Sequence, residues 1–322
     1  MSAEHRFHIV DVFADRRYAG NQLAVVEDGA SLSDEEMLDI AREMNYSETT
    51  FVETGEEREG VAGRRPAARR GSLGDGYDVR IFTPKEEIPF AGHPTLGTAA
   101  VLREEFGAGD EVTLNLPVGR IPVEVREEGG EEVLWMTQNP PEFGETLTPE
   151  RVAEVLSLDS SDVDDEWPVQ VVSTGLPAVL IPLTDRDALG RIAVDRRAYD
   201  ELLADVGVEN LFPFCPDPRD GANDFAARMF ALGYNVPEDP ATGSANGCLA
   251  GYLARHRYFD SPEVTATVEQ GYEMGRPSLL HLEARDEDEN PDGEAGDAED
   301  ETGDVTVRVG GRVVPVADGT LR

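Results

Sequence analysis

The sequence predicts an α+β fold of two related halves, each a set of strands around one prominent apolar helix. Three observations carry that prediction. One motif occurs twice: residues 80–99 read R-I-F-T-P-K-E-E-I-P-F-A-G-H-P-T-L-G-T-A and residues 228–245 read R-M-F-A-L-G-Y-N-V-P-E-D-P-A-T-G-S-A, so that, aligned on Pro94 and Pro240, both contain P-x-x-G-[ST]-A. Short β-branched runs at strand spacing fill most of both halves. Each motif then leads into an alanine-rich stretch, 99–102 and 245–253, the pattern of a loop opening a helix.

In chain order, the alternating run 7–13 predicts a first strand, 15–20 a turn and 23–26 a second strand. Ser33 with Glu36 three residues on is a capping box, opening a helix to Met44 with Met37, Leu38, Ile40 and Ala41 on one side. Residues 46–52 form a polar turn feeding a strand. The stretch 55–76 lacks periodicity and is rich in Gly and Arg, so it is expected as a surface insertion. A strand at 79–83, the first motif with its helix, and strands at 113–116, 121–125 and 133–136 complete the first half, 1–138. Pro140 and Pro141 mark the change to the second half, 139–322. There follow a helix at 149–156, a strand–turn–strand at 169–182, a helix at 198–205, a strand at 211–214, the run 225–230 and the second motif. Strands at 265–268, 279–283 and 305–309 end the chain. Between the last two, residues 285–304 hold 11 acids and one Arg and are expected as a disordered hairpin tip.

At 322 residues the chain has the length of two ordinary domains. No run approaches the roughly 18 apolar residues of a membrane span, and the N-terminus enters a strand without a signal-peptide profile, which predicts a cytoplasmic protein with no membrane partner. The net charge is −38, and Lys85 is the only lysine among 28 basic residues. Leaving out residues 285–304, which carry a net −10, still leaves −28, so the acidity covers the whole surface. Such a chain has little with which to neutralise phosphates, which speaks against nucleic acid as a partner. It reads as a halophile's protein, because at about 1 M salt the Debye length is only ~3 Å and the self-repulsion is screened. Cys215 and Cys248 form no C-x-x-C pair, and no Walker loop, G-x-G-x-x-G or H-E-x-x-H is present, so no cofactor or metal is expected. His5 and His8 are expected at a strand edge rather than as a metal pair.

Glu48 lies in N45-Y-S-E-T-T-F-V52, between the hydroxyl residues Ser47 and Thr49 and directly before an apolar run. There it would be partly desolvated, which raises a carboxyl pKa toward the range useful for removing a proton from carbon; the plainer reading is a Glu that caps or bonds the backbone of a turn. His93 and Asp239 precede the two motif prolines. Either alone would be a helix N-cap, but capping does not require one position to become an imidazole and the other a carboxylate. The N–H groups around Gly92 and Gly243, at the helix starts, attract anions. Thr98 and Ser244 either bond a ligand or cap, and Cys248 is expected as a small core residue. If the halves face each other, two helix N-termini would converge on a cleft suited to a small carboxylate.

Taken together, residues 11–26, 45–52, 80–99, 238–245 and 270–278 resemble the phenazine-biosynthesis PhzF-like family, over residues 7 to about 283. The resemblance implies the diaminopimelate-epimerase-like fold: two pseudo-symmetric domains, each a sheet wrapped around a central helix, with the last strand returning to the first domain. It implies Glu48 as acid/base, with His93, Asp239 and Ser244 assisting or binding substrate beside Ser47, Gly92 and Gly243, and a homodimer. Epimerases of this fold carry a cysteine in each half; His93 and Asp239 stand at those places here, which favours a thiol-free proton shift that moves a double bond on a small carboxylate-containing metabolite. An epimerase or racemase without the cysteine pair and a non-catalytic binding module are the alternatives, and the intact set of Glu48, His93 and Asp239 argues for turnover. Departures at 15–18 and 231–235 bear on substrate identity. The composition predicts that dialysis from molar salt into dilute buffer abolishes the circular dichroism signal; a chain that keeps it contradicts the halophile reading.

Overall fold

The computed structural model describes residues 4–53, 76–234, 236–287 and 305–322. The insertion expected at 55–76 and the acidic segment expected at 285–304 lie outside these residues, except Gly76 and residues 285–287, where a strand continues through Asp286. The chain divides into two compact units, Met1–Thr137 with Gly310–Arg322, and Gln138–Val309. Its fold class is α+β, with strands outnumbering helices in both units.

The elements in chain order are β1 (His5–Val12), β2 (Asn21–Val26), α1 (Asp34–Met44), β3 (Glu48–Val52), β4 (Tyr77–Phe82), β5 (Glu87–Ile88), α2 (Gly92–Phe106), β6 (Glu111–Leu116), β7 (Gly119–Glu128) and β8 (Glu131–Thr137). There follow β9 (Glu142–Leu147), α3 (Pro149–Leu156), β10 (Val169–Ser173), β11 (Pro177–Pro182), α4 (Arg186–Arg191), α5 (Arg196–Val206), β12 (Asn210–Cys215), β13 (Phe225–Ala227), α6 (Gly243–Arg255), β14 (Glu263–Gln270), β15 (Ser278–Asp286), β16 (Val305–Gly311) and β17 (Val313–Leu321).

In the first unit β1 pairs antiparallel with both β17 and β2. β2 runs parallel to β3, and β3 antiparallel to β4. β4 runs parallel to β6, which continues antiparallel through β7 to β8. The expectation that His5 and His8 mark a strand edge is therefore corrected: β17, some 300 residues away in sequence, covers that edge. Both histidines are buried, and His8 Nε2 sits 2.7 Å from Glu27 Oε1. Helix α1 forms as expected. Ser33 Oγ accepts from Glu36 N–H, Glu36 reaches back to Ser33 N–H at 2.8 Å, and Asn45 closes the helix in the left-handed region at φ 53. Its Met37 and Ala41 pack with Val26, Phe51 and Phe82.

α2 contacts β1, β2, β3, β6, β7, β8 and β17, strands on every side of it, and its residues from Gly92 to Ala99 are all buried. In the second unit β9 to β15 pair in chain order, antiparallel except for β11–β12 and β13–β14. α6 packs on β10, β11, β14 and β15 and is buried throughout from Gly243 to Ala254. α3, α4 and α5 add a second cluster with Val152, Leu189, Tyr199 and Leu202 at its centre. A helix buried all round cannot carry large side chains on every face. A Cβ on Gly97 would lie 2.5 Å from Leu23 and 2.8 Å from Val12, and one on Gly251 would lie 2.8 Å from the Pro141 ring.

The two motif copies do not open their helices at the same letter. α2 begins at Gly92, two residues before Pro94, whereas α6 begins at Gly243, three after Pro240. Proline is tolerated in the first turn because its missing N–H has no helical partner there, so the first copy is helix where a loop was expected. The Gly251 environment yields a stability prediction. Alanine there would gain about 1 kcal/mol of helix propensity, but overpacking costs about 1–3 kcal/mol and a proline ring cannot swing aside. Gly251→Ala is expected to lower the melting temperature; an unchanged or raised one contradicts this packing.

Candidate active site

Glu48 heads β3, aligned with Leu23 in the parallel β2–β3 pair. Thr50 donates to or accepts from Thr98 of α2 through their hydroxyls, 2.8 Å apart and fully buried. That bond ties β3 to α2 and sets the distance from Glu48 to His93, five residues upstream of Thr98 on the helix. Thr98 is thus a core residue, neither a cap nor a ligand contact. The Glu48 side chain keeps 17% exposure, and its Oε2 lies 3.4 Å from His93 Nε2.

His93 is the second residue of α2, whose N-cap is Ala91, so the capping reading of His93 is excluded. Its ring is buried, and burial pushes the imidazole down to about 3 against a hydrogen bond to the Gln22 backbone that favours the protonated form. Separated by 3.4 Å, the two groups would form an ion pair were the ring charged. The desolvation is the larger effect, so the ring is neutral at ordinary pH. Nε2 has no hydrogen-bond partner, so the Gln22 bond uses Nδ1, and because it favours protonation the acceptor is the Gln22 carbonyl. That leaves a lone pair on Nε2 facing Glu48, at a separation longer than a formed hydrogen bond. The contact has room for one proton, which the neutral ring leaves to Glu48.

The turn that leads into β2, the strand carrying Gln22, is itself braced. The buried Asp11 carboxylate accepts Tyr18 N–H at 2.6 Å, holding Tyr18 in the left-handed region at φ 66. Ser47 sits half-buried in the bend before Glu48, and Gly92 is the first residue of α2.

Asp239, Gly243 and Ser244 form a group of their own in the second unit. Asp239 is not an N-cap: that position is Thr242, with Gly243 and Ser244 opening α6. Asp239 N–H donates to Met229 O at 3.0 Å, and its Oδ2 accepts the Thr242 hydroxyl. The preceding Glu238 is gripped by the buried Arg228, Nε to Oε1 at 2.9 Å and Nη2 to Oε2 at 2.8 Å. Two glutamines absent from the sequence-based candidates complete this region. Gln138 donates to Gly243 O at 2.9 Å and accepts from Thr174 at 2.6 Å. Gln270, 1% exposed at the end of β14, bonds the Asp239–Thr242 loop. The signal that could have found Gln270 is a polar side chain closing an apolar strand just before a glycine.

Cys215 and Cys248 are both buried, and desolvation pushes each thiol up to about 11. Neither supplies a thiolate near neutral pH. Among the described residues, His8, Glu27 and Glu105 have metal-type donor atoms within 4.8 Å of one another, but His8 already bonds Glu27 and Arg6 lies 3.9 Å from Glu105. No described helix is long and apolar enough to cross a membrane.

Comparison with known proteins supplies a family context. The family model described as phenazine biosynthesis-like protein matches residues 10–319. The chain is 36% identical to a trans-2,3-dihydro-3-hydroxyanthranilate isomerase of Pseudomonas aeruginosa over 87% of this chain and 90% of that protein. It is 34% identical to an uncharacterized isomerase of Mesorhizobium japonicum over 97% of each. Among solved structures, a predicted epimerase from Pseudomonas aeruginosa is similar with a TM-score of 0.74 and 32% identity, covering 98% of this chain and 99% of that one. A PhzF-family protein of Bacillus anthracis shares the fold with a TM-score of 0.82 at 24% identity and 99% coverage of both chains. A hydroxyproline epimerase from Agrobacterium vitis shares it with a TM-score of 0.57 at 12% identity, covering 99% of this chain and 91% of that one.

The depressed His93 has a consequence for stability with a fixed sign. Below the ordinary imidazole value of 6.5 the unfolded chain binds a proton that the folded chain refuses until about 3. Stability contributed by the neutral ring is therefore full above 6.5 and declines as pH falls through that window, by up to about 1.4 kcal/mol per pH unit. Denaturant unfolding at pH 7, 5 and 4 is expected to show a shallower acid-side loss in His93→Gln than in the unsubstituted chain; equal slopes contradict a buried neutral His93.

Proposed function

The chain belongs to the phenazine biosynthesis-like family and is an isomerase, and from that premise we propose that it moves a proton, and with it a double bond, on a small carboxylate-containing metabolite, using Glu48 as the acid/base. The observation that carries this reading is the Glu48 carboxyl, 17% exposed, beside the neutral buried ring of His93. The Glu48 carboxylate takes a proton from an activated carbon, and the electron pair of that C–H bond moves into the conjugated system. The same carboxyl then returns the proton to a carbon further along. His93 stabilises the proton-loaded Glu48 through its Nε2 lone pair. Asp239 orients the substrate, with Ser47 and Ser244 as further binding groups. The N–H groups at Gly92 and Gly243 hold the substrate's anionic charge.

No cofactor is required by this sequence of steps. A family resemblance underlies the further expectation of a homodimer. An epimerase using a thiol pair is disfavoured by the elevation of both thiols. A one-base epimerase returns the proton to the carbon it left, which gives the two activities different products.

The test is incubation in deuterated water at molar salt, with trans-2,3-dihydro-3-hydroxyanthranilate first and related cyclic carboxylates after it. Mass spectrometry and NMR then locate the deuterium. The expected result is deuterium on a new carbon with the double bond moved, and a loss of about 10²–10⁴-fold in Glu48→Gln. Deuterium confined to the original carbon indicates epimerisation, and equal exchange by the two proteins removes Glu48 as the base.

A further inference from the structure

The loop Asp239–Thr242 is held by a circuit of hydrogen bonds whose directions can be assigned without ambiguity. The Thr242 backbone N–H can only donate, and its partner 3.2 Å away is Gln270 Oε1. The Asp239 carbonyl can only accept, and it lies 2.9 Å from Gln270 Nε2. These two contacts fix which end of the Gln270 amide is nitrogen. Asn246 is fixed in the same way: its Nδ2 donates to the Thr242 carbonyl at 3.0 Å and to Gln270 Oε1 at 2.9 Å. Gln270 Nε2 also reaches Thr242 Oγ1 at 3.1 Å, and there it must be the donor. The Thr242 hydroxyl, receiving that hydrogen, turns its own toward Asp239 Oδ2.

We infer that Gln270 and Thr242 are positioning residues that commit Asp239 Oδ2 to accepting a hydrogen bond and so hold the Asp239 carboxyl in its charged form. The role in turnover rests on the assignment of Asp239 to substrate made above; the hydrogen-bond directions do not. The circuit is rigid at both ends. Ser278 Oγ donates to the Pro240 carbonyl at 2.8 Å. Gly271, at φ +76, lets the chain turn where any Cβ would stand 2.4 Å from Arg276 O and 2.5 Å from Pro240 O. The neighbouring charge, Glu238, is already matched by Arg228 and stays the same in every variant below.

A hydroxyl donating to a carboxylate favours its charged form, so the circuit has a signature that a merely structural role lacks. The full-length chain, carrying ¹³C at the aspartate carboxyl carbons, is titrated by NMR at molar salt. Thr242→Val keeps the volume and removes the hydroxyl; the Asp239 midpoint is expected to rise by about one pH unit, a tenfold change in proton affinity. Thr242→Ser should restore the unsubstituted midpoint. Gln270→Met, which leaves the hydroxyl but frees its direction, should raise the midpoint by a smaller amount. Loss of thermal stability in Thr242→Val with an unchanged midpoint overturns the inference, as does a Ser variant that fails to restore it. If Thr242→Val does not fold, an unchanged midpoint in Gln270→Met overturns it alone. The readout needs no turnover, so an inactive chain would count against the proposed isomerase and leave this result standing.

Discussion

The structure depends on one constraint: each unit encloses a helix on several sides, so the helix must be narrow and its opening turn is taken out of water. Narrowness explains the composition of α2 and α6, where a Cβ on Gly97, Gly247 or Gly251 would run into Leu23, Gln138 or Pro141. Withdrawal from water explains the chemistry. Polar groups buried at a helix start need partners, and in the second unit Gln138 and Gln270 are those partners. In the first unit the same enclosure strips the charge from His93 and leaves a neutral ring against Glu48.

The two motif copies answer this constraint in opposite ways. In the first, the helix swallows the motif, so His93 belongs to the opening turn and packs inward. In the second, the helix starts later, and Asp239 stays in a loop that must be held by side chains from β14 and β15. One sequence pattern thus yields an imidazole fixed by helix packing and a carboxylate fixed by hydrogen bonds. The acidic surface is a separate feature. Its arginines pair with exposed carboxylates, as Arg80 does with Asp34 and Glu87, and such pairs add little stability on their own.

Much of the fold was legible because its signals are local. The Ser33–Glu36 capping box, the proline-led helix 149–156 and the β-branched runs each specify an element within a few residues. What was not legible depends on distant chain. β17 turns β1 from an edge into an interior strand, and nothing near His5 or His8 announces it. The short β5 and α4 carry too few residues for a period to emerge. In the site, Glu48 was visible as a carboxylate among hydroxyls, but its association with His93, 45 positions away, came from the family resemblance and not from local pattern. Thr98 and Ser244 occupy matching letters, yet one is spent on Thr50 in the core and the other opens a helix. Gln270 opens one of the family-like motifs, but its role was not legible because the groups it holds lie some 30 residues upstream.

The central claim is that His93 presents a neutral ring to Glu48, with Nδ1–H on the Gln22 carbonyl and the lone pair on Nε2. Ring ¹⁵N shifts of His93, assigned against His93→Gln and followed from pH 5 to 9, test it most directly. The account predicts a protonated Nδ1 and an unprotonated Nε2 across that range. Two protonated ring nitrogens near neutral pH, or the proton on Nε2, would contradict it.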